Sequence, residues 1–334
     1  MPYEIWNRRY TGSKYKLADW IFNIIESHCS GSSFCDIFAG TGIIAKTALE
    51  KMSKVVVNDF LYSNEIIYKA FFLQSHYDMN KIEQYRDAFQ SLSACELKEN
   101  YASTNFGDTF FSHNDAMLIG EIREQIDTAN ELNEKEQAIL IASLLYSADK
   151  IANTVGHYDA YIKGHPILNQ FKFDLISPYQ TQTQVKIYRE DANLLAKSLD
   201  CDIVYIDPPY NSRQYSRFYH VLENIATWKK PKLYGVALKP QPENMSEYCR
   251  ATALTVFTSL INDLHCKYIL VSYNNTYDSK SSSSMNKMSL ENIKQVLSEK
   301  GKLSCFETAH QFFNTGKTSF ANHKEMLFLV EVNK

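Results

Sequence analysis

Phe34-Cys35-Asp36-Ile37-Phe38-Ala39-Gly40-Thr41-Gly42 is the stretch that decides the fold. Phe34 to Phe38 reads as a short buried strand, and the Ala-Gly-Thr-Gly run stops it. Before it, Leu17, Trp20, Ile21, Ile24 and Ile25 recur at helical spacing. After it come a helix over 43–51 and a second strand, Val55-Val56-Val57, that ends at Asn58-Asp59. Helix, strand, glycine turn, helix, strand is the opening of a parallel α/β sheet. Gly40-x-Gly42-x-x-Ala45 is spaced as a nucleotide-binding turn, with Asp59 placed for a ribose hydroxyl pair. A phosphate-binding P-loop is excluded, because Ala45 stands where that loop needs glycine before Lys46. A dinucleotide oxidoreductase stays open at this point.

The rhythm breaks after Phe60. Ile66, Ile67, Ala70, Phe71 and Leu73 suggest a helix and 134–151 a long one, with polar, irregular sequence between them. An inserted, mainly helical lobe at 75–179 is expected, leaving 1–74 and 180–334 to the sheet domain, with Ser177-Pro178 near the exit. Strand 185–188, helix 192–199 and buried strand 203–206 then resume the alternation. Beyond them a helix is expected at 254–264, a strand at 268–272, a Ser-rich loop at 279–284, a helix at 290–299 and a last strand at 326–332. No internal repeat is visible.

Strand 203–206 ends in Asp207-Pro208-Pro209-Tyr210. Two prolines fix φ twice and remove two N–H donors. The Asp207 carboxylate and the Pro208 carbonyl are left as acceptors at the carboxyl edge of the sheet, beside the flat face of Tyr210. Two acceptors and a ring suit a planar base that carries an NH2 group.

Composition narrows the field less. Of 334 residues, 35 are Lys or Arg and 38 Asp or Glu, a formal charge of −3; 45% are hydrophobic and 22% charged. Disorder as the main state is excluded. There is no apolar run of about 18 residues, and residues 1–10 lack a signal-peptide core, so no membrane association is expected. Cys29, Cys35, Cys95, Cys201, Cys249, Cys266 and Cys305 are scattered without a CxxC pair. Reduced thiols in a cytoplasm are expected, not a disulfide frame or a metal site. The 22 Tyr and 19 Phe fit core packing as well as base stacking.

Taken together, Tyr10-Thr11-Gly12-Ser13-Lys14, the segment from Asp36 to Gly42, Asn58-Asp59, Tyr188-Arg189-Glu190-Asp191 and DPPY resemble the Dam-like, alpha-ordered DNA adenine methyltransferases that use S-adenosylmethionine (SAM). Asn211-Ser212-Arg213-Gln214-Tyr215 through Tyr219-His220-Val221-Leu222-Glu223-Asn224 resembles the subgroup related to type IIS modification enzymes. The lobe itself matches nothing recognised. The resemblance implies a Rossmann-like SAM-dependent methyltransferase sheet with an inserted target-recognition lobe. It implies a monomer acting on double-stranded DNA, in company with a separate restriction endonuclease.

Carried over position by position, it places Tyr10 and Lys14 against SAM, Lys14 near its carboxylate. Asp36, Phe38, Gly40 and Gly42 form the turn around the methionine part. Asp59 takes the ribose hydroxyls, and Asp191 the SAM adenine, with Glu190 as its neighbour and rival. Asp207, Pro208, Pro209 and Tyr210 form the catalytic group, Asp207 lying between cofactor and an adenine flipped out of the duplex. Tyr158, Lys163, Arg213, Arg217, Lys229 and Lys230, with Tyr161, His165 and Lys232, are candidates for base and phosphate contacts. An amino-methyltransferase on cytosine or RNA, a catalytically silent DNA-binding module and a nicotinamide dehydrogenase are the competing readings. The first usually carries Ser or Asn in place of Asp207, and the last leaves DPPY without a purpose.

Overall fold

The computed structural model describes residues 2–274, 286–309 and 324–333. Contacts divide the chain into two compact units. One holds Met1–Ser13, Leu61–Thr181 and Tyr215–Glu243; the other holds Lys14–Phe60, Gln182–Gln214 and Asn244–Lys334.

The second unit is built on a seven-stranded sheet. Its strands are β1 (Ser33–Asp36), β2 (Lys54–Asn58), β3 (Gln184–Tyr188), β4 (Ile203–Ile206), β5 (Tyr268–Asn274), β6 (Gly301–Ala309) and β7 (Lys324–Val332), in the order β3-β2-β1-β4-β5-β7-β6. β1 to β5 are parallel, and β7 runs antiparallel to both β5 and β6. A parallel sheet is covered on both faces, so its strands read as unbroken apolar runs, as β4 does. Cys35, Ile37, Val56, Val204, Ile206, Ile269 and Val271 pack with Phe257, Leu260 and Ile261 of the helix Ala253–Asp263 and with Ile293 and Leu297 of Leu290–Lys300. Phe34, one residue out of phase with Cys35, instead meets Phe22 of the helix Ala18–His28.

The elements expected from the sequence are present with shifted ends. β1 stops at Asp36 because Ile37 to Thr41 already form the turn, and the helix after it runs only Ile43–Ala48. The expected helix at 192–199 is the shorter Ala192–Ala196. β6 was not anticipated: Gly301–Ala309 mixes polar and apolar residues without a clean alternation. The Ser-rich loop expected at 279–284 lies outside the described residues.

The first unit is helical. Glu134–Ile151 runs through its middle, buried over most of its length, and a capping box between Asn133 and Glu136 starts it. Met79–Ser91, Tyr101–Phe106 and His113–Thr128 fill the stretch that reads as irregular, and Met79–Ser91 escapes notice because it buries only Ile82 and Phe89.

This unit is drawn differently from the expected 75–179 lobe, and its buried polar contacts give the reason. Glu223 accepts from the N–H groups of Tyr62 (3.1 Å) and Ser63 (2.7 Å), capping the helix Tyr62–Phe72 at its start. Lys135 donates to the carbonyls of Lys69 and Ala70 at that helix's other end. Arg123 donates to Ile225 and Ala226 at the end of the helix His220–Thr227. Tyr146 donates to the Ile5 carbonyl, tying in the amino-terminal segment. Helix ends need such partners, so 61–74, 215–243 and 1–13 fold with the helical unit. No helix among the described residues is long and apolar enough to cross a membrane.

At the amino edge of the sheet Asp202 joins three strands. Its Oδ2 accepts from the N–H groups of Ser32 (2.9 Å) and Ser33 (3.1 Å) and from Ser33 Oγ (2.9 Å), while Lys267 lies 2.8 Å from Oδ1. Lys267 first, then these serine donors, hold its carboxyl well below the usual carboxylate range. Asp202→Ala is expected to cost about 1–3 kcal/mol by stranding the two amides. A carboxyl with a lowered folded pKa stabilises above its unfolded value and loses that contribution as pH falls. The gap in thermal unfolding between wild type and variant should therefore hold from pH 7 to 5 and narrow below about pH 4.

Candidate active site

Topology brings the site together before any side chain is considered. The strand order reverses between β1 and β4, and at such a switch point the loops after the two strands diverge and leave a crevice. Asp36 pairs in register with Tyr205, so the glycine turn after β1 lies next to the DPPY segment after β4.

The turn is held from below. Ala39 N–H donates to the Asn58 carbonyl (2.9 Å), and Gly40 N–H to Asp59 Oδ2 (2.9 Å). Gly40 and Gly42 take φ of +53° and +80°, which a Cβ would strain. Asn58, fully buried, donates through Nδ2 to the carbonyls of Ile37 (3.0 Å) and Glu190 (3.1 Å) and accepts from Glu190 N–H (2.9 Å). One amide thus ties the ends of β1, β2 and β3. Asp191 follows directly, its Oδ1 accepting from Asn193 and Leu194 N–H at the start of the helix Ala192–Ala196.

Asp36 is a buried carboxyl that its neighbours compensate poorly. It is 1% exposed, and the Ala45 amide is the hydrogen-bond donor that faces its carboxylate. Burial, then the charges of Asp207 and Asp59, push its carboxyl well above the ordinary range; the Ala45 amide and Lys14 offset this only in part. Asp207, half-buried, acts on Asp36 and belongs to a network of its own. Lys14 Nζ lies 3.0 Å from Asp207 Oδ2 and donates to Tyr210 Oη at 2.6 Å, while Tyr210 donates to Asp207 Oδ1 at 3.0 Å. Burial raises the Asp207 carboxyl and Lys14 pulls it back.

Pro208 is buried and Pro209 half-buried. The Tyr210 ring stands edge-on to Tyr273 at 5.3 Å, and its carbonyl accepts from Lys287 N–H at 2.6 Å. Phe38 meets Tyr248 edge-on at 5.0 Å, and Tyr248 Oη donates to Asn193 Oδ1 (2.8 Å).

Of the expected site residues, Lys14, Asp36, Phe38, Gly40, Gly42, Asp59, Asp191, Asp207, Pro208, Pro209 and Tyr210 all belong to the sheet unit. They stand on its carboxyl edge or, like Lys14, reach it from a flanking segment. Lys14 turns its ammonium to Asp207 and Tyr210. Tyr10 belongs to the helical unit, where it stacks on Tyr219 (4.9 Å, 7°) under the Arg8 guanidinium.

Three site residues were missed. Tyr248 and Tyr273 carry no motif. Glu325 is the second residue of β7, and because that strand is antiparallel its start lies at the carboxyl edge, where Glu325 pairs with Asn274. It is 6% exposed and its charge acts on Lys14 and Asp207. A glutamate opening an apolar final strand was the one available signal.

The expected DNA contacts fare unevenly. Tyr158 is corrected: it is 1% exposed and donates to Asp149 Oδ1 (2.9 Å), so it belongs to the core of the helical unit. Lys163 is exposed, 5.6 Å from the Tyr161 ring centre. Arg217 is half-buried and donates to the Pro240 carbonyl (2.5 Å). Arg213 is half-buried, its N–H donated to Asn211 Oδ1. Lys229 and Lys230 are exposed and face Glu243 (3.4 Å) and Glu124 (2.6 Å). Exposed pairs of this kind are weak enough for a phosphate to replace.

An acceptor loop and a glycine turn at one switch point define an α/β enzyme that acts on a nucleotide base. Residues 10–285 match the family model described as D12 class N6 adenine-specific DNA methyltransferase, and the chain belongs to that family. It is 29% identical to the type II methyltransferase M.NlaIII of Neisseria lactamica over 94% of this chain and 95% of that protein. To the type II methyltransferase M.CviAII of Paramecium bursaria Chlorella virus 1 it is 30% identical, over 97% and 98%. To the type II methyltransferase M.FokI of Planomicrobium okeanokoites it is 34% identical over 79% of this chain, but it spans only 44% of that protein.

Asp36 supplies a prediction independent of turnover. A carboxyl whose folded pKa is raised stabilises the native state below its unfolded value and loses that as pH rises through the folded value. Asp36→Asn removes a charge that its neighbours compensate only in part, at the smaller cost of a buried amide. It should melt above wild type at pH 8, with the difference closing toward pH 5. A variant that melts lower at both pH values would mean that the Asp36 charge is well compensated in the folded protein.

Proposed function

We propose that this chain methylates the exocyclic amino group of adenine in double-stranded DNA with SAM as donor, and serves as the modification enzyme of a restriction–modification system. The observation that carries this is the convergence of Lys14, Asp36, Asp207 and Tyr210 at the crevice between β1 and β4.

The residues fit the donor. SAM carries a sulfonium and an ammonium, and Asp36 offers a buried carboxyl whose charge the Ala45 amide and Lys14 compensate only in part. Buried charges call for a partner, and a cationic ligand is one. Asp59 and Asp191 stand after β2 and β3 on the same edge, in reach of the ribose and adenine of a ligand lying across the turn. When bound, SAM supplies an electrophilic methyl group, whose bonding electron pair stays on sulfur as the new N–C bond forms.

Everything else falls to the chain. The lone pair of an adenine amino nitrogen is delocalised into its ring. The Asp207 carboxylate and the Pro208 carbonyl accept its two hydrogens and favour a pyramidal nitrogen with its lone pair aimed at the methyl. A hydrogen bond to a charged acceptor is worth about 1.5–3 kcal/mol net, and more where charge develops in a dry site. As the bond forms the nitrogen becomes acidic, and its proton leaves toward Asp207 and then to water. The base must be out of the stack to reach these groups, at a cost of a few kcal/mol. Stacking on Tyr210 returns about 1–3 kcal/mol of it. Arg213, Arg217, Lys163, Lys229 and Lys230 remain the proposed phosphate and base contacts.

Asp207→Ala is expected to lower transfer of labelled methyl from SAM to DNA by at least about a hundredfold, while SAM still raises the melting temperature. Retained turnover would remove Asp207 from the mechanism. Asp59→Ala should weaken SAM binding about tenfold or more in a calorimetric titration, as loss of a charged acceptor implies. The proposed reaction is identified by N6-methyladenine among the nucleosides of treated DNA.

A further inference from the structure

Lys14 is 5% exposed and Asp207 14%, so their contact is nearly dry. Placing an ion pair away from water brings little stability, which leaves open why a lysine should be buried against the acceptor loop. The groups that face Asp207 are Lys14, Asp36 from the end of β1, Tyr205 from β4, Tyr210 from its own loop and Glu325 from the start of β7. Burial, Asp36 and Glu325 oppose a charge on Asp207. Lys14 and the Tyr210 hydroxyl favour it.

We infer that Lys14 is a positioning residue that holds Asp207 ionised and fixed in the orientation in which it accepts an amino hydrogen of the target adenine. This rests on the reading of Asp207 as that acceptor. Lys14 fixes Oδ2, Tyr210 fixes Oδ1, and Lys14 also holds Tyr210, so the carboxylate cannot turn without breaking contacts. Each oxygen keeps a second lone-pair direction for the substrate. A protonated carboxyl would turn a donor toward an NH2 group that itself donates, and the grip would be lost. The lysine ammonium prevents that. It acts through Asp207 and need not touch the donor's carboxylate.

The test is the pH dependence of kcat for Lys14→Met and Lys14→Arg, at saturating SAM and DNA. In Lys14→Met the acid limb should move up by at least about one pH unit, a tenfold loss on that limb, with activity recovering toward pH 9. KM for SAM should change less than about threefold, and Lys14→Arg should keep the wild-type limb. An unmoved limb in Lys14→Met overturns the inference, and a rise confined to KM for SAM would assign Lys14 to the donor instead. The titration of the Asp207 carboxyl carbon by NMR in the ligand-free protein, assigned by its loss in Asp207→Asn, needs no turnover. Its midpoint should rise in Lys14→Met, and a midpoint that stays put is equally fatal. Lys14→Gln replaces Lys14→Met, with the same two outcomes, if the latter fails to fold. An active Asp207→Asn enzyme would remove the parent reading; an inactive one beside an unmoved limb would remove this inference alone.

Discussion

Like charges crowded into a dry space are what the sheet unit has to manage. Asp36, Asp59, Asp207 and Glu325 feel one another or Lys14 at the carboxyl edge, and Asp36 and Asp207 are both raised by burial. Two unit charges 4 Å apart interact by about 4 kcal/mol even at an effective dielectric of 20. An arrangement of this kind does not arise from packing, which would prefer apolar residues of the same volume. It is tolerable because Lys14 neutralises part of it, and because apolar layers pack beneath β1 and β4. Poorly solvated carboxyls therefore stand where the chemistry is.

Strand order turns this electrostatic problem into a site. β1, β2, β3 and β4 are parallel, so their last residues and the loops that follow lie on the same edge: Asp36 and the glycine turn, Asp59, Asp191 and Asp207. β7 contributes Glu325 only because it runs the other way. Asn58 then makes the edge rigid. Its single amide bridges the loops after β1 and β3, so the glycine turn and the Glu190-Asp191 segment cannot drift apart without leaving buried polar groups unpaired.

The parallel part of this unit was legible in the sequence because its signals are local. Phe34 to Gly42 and Ile203 to Tyr210 each join a buried strand to a breaker, and breakers act through φ and lost donors within a few residues. What escaped depends on partners far away in sequence. β6 is a strand through its pairing with β7, not through its own pattern. Glu325 matters only once the direction of its strand is known. Met79–Ser91 has too thin an apolar face to announce a helix. The domain boundary was misplaced for the same reason: Glu223 caps Tyr62–Phe72 across 160 residues, and spacing along the chain carries no trace of such a contact. Tyr158 shows the converse error, since an aromatic in a polar loop reads as a contact until its hydroxyl is found on Asp149 inside the core.

The Lys14–Asp207 contact bears on how such a site sets its own basicity. A carboxylate shielded from water and surrounded by other carboxylates drifts toward its neutral form, which suits a general acid. Amino methylation asks for the opposite, an acceptor that is charged before the nucleophile arrives and only weakly basic until the N–C bond forms. A nearby cation supplies both properties: it holds the charge in place and keeps the carboxylate from taking the proton early. Tyr210 completes the balance, because a neutral hydroxyl orients one oxygen without adding charge that would repel a sulfonium. With a single lysine the edge keeps a net negative charge. A second ammonium beside Asp207 would secure its ionisation further, but it would cancel that negative field.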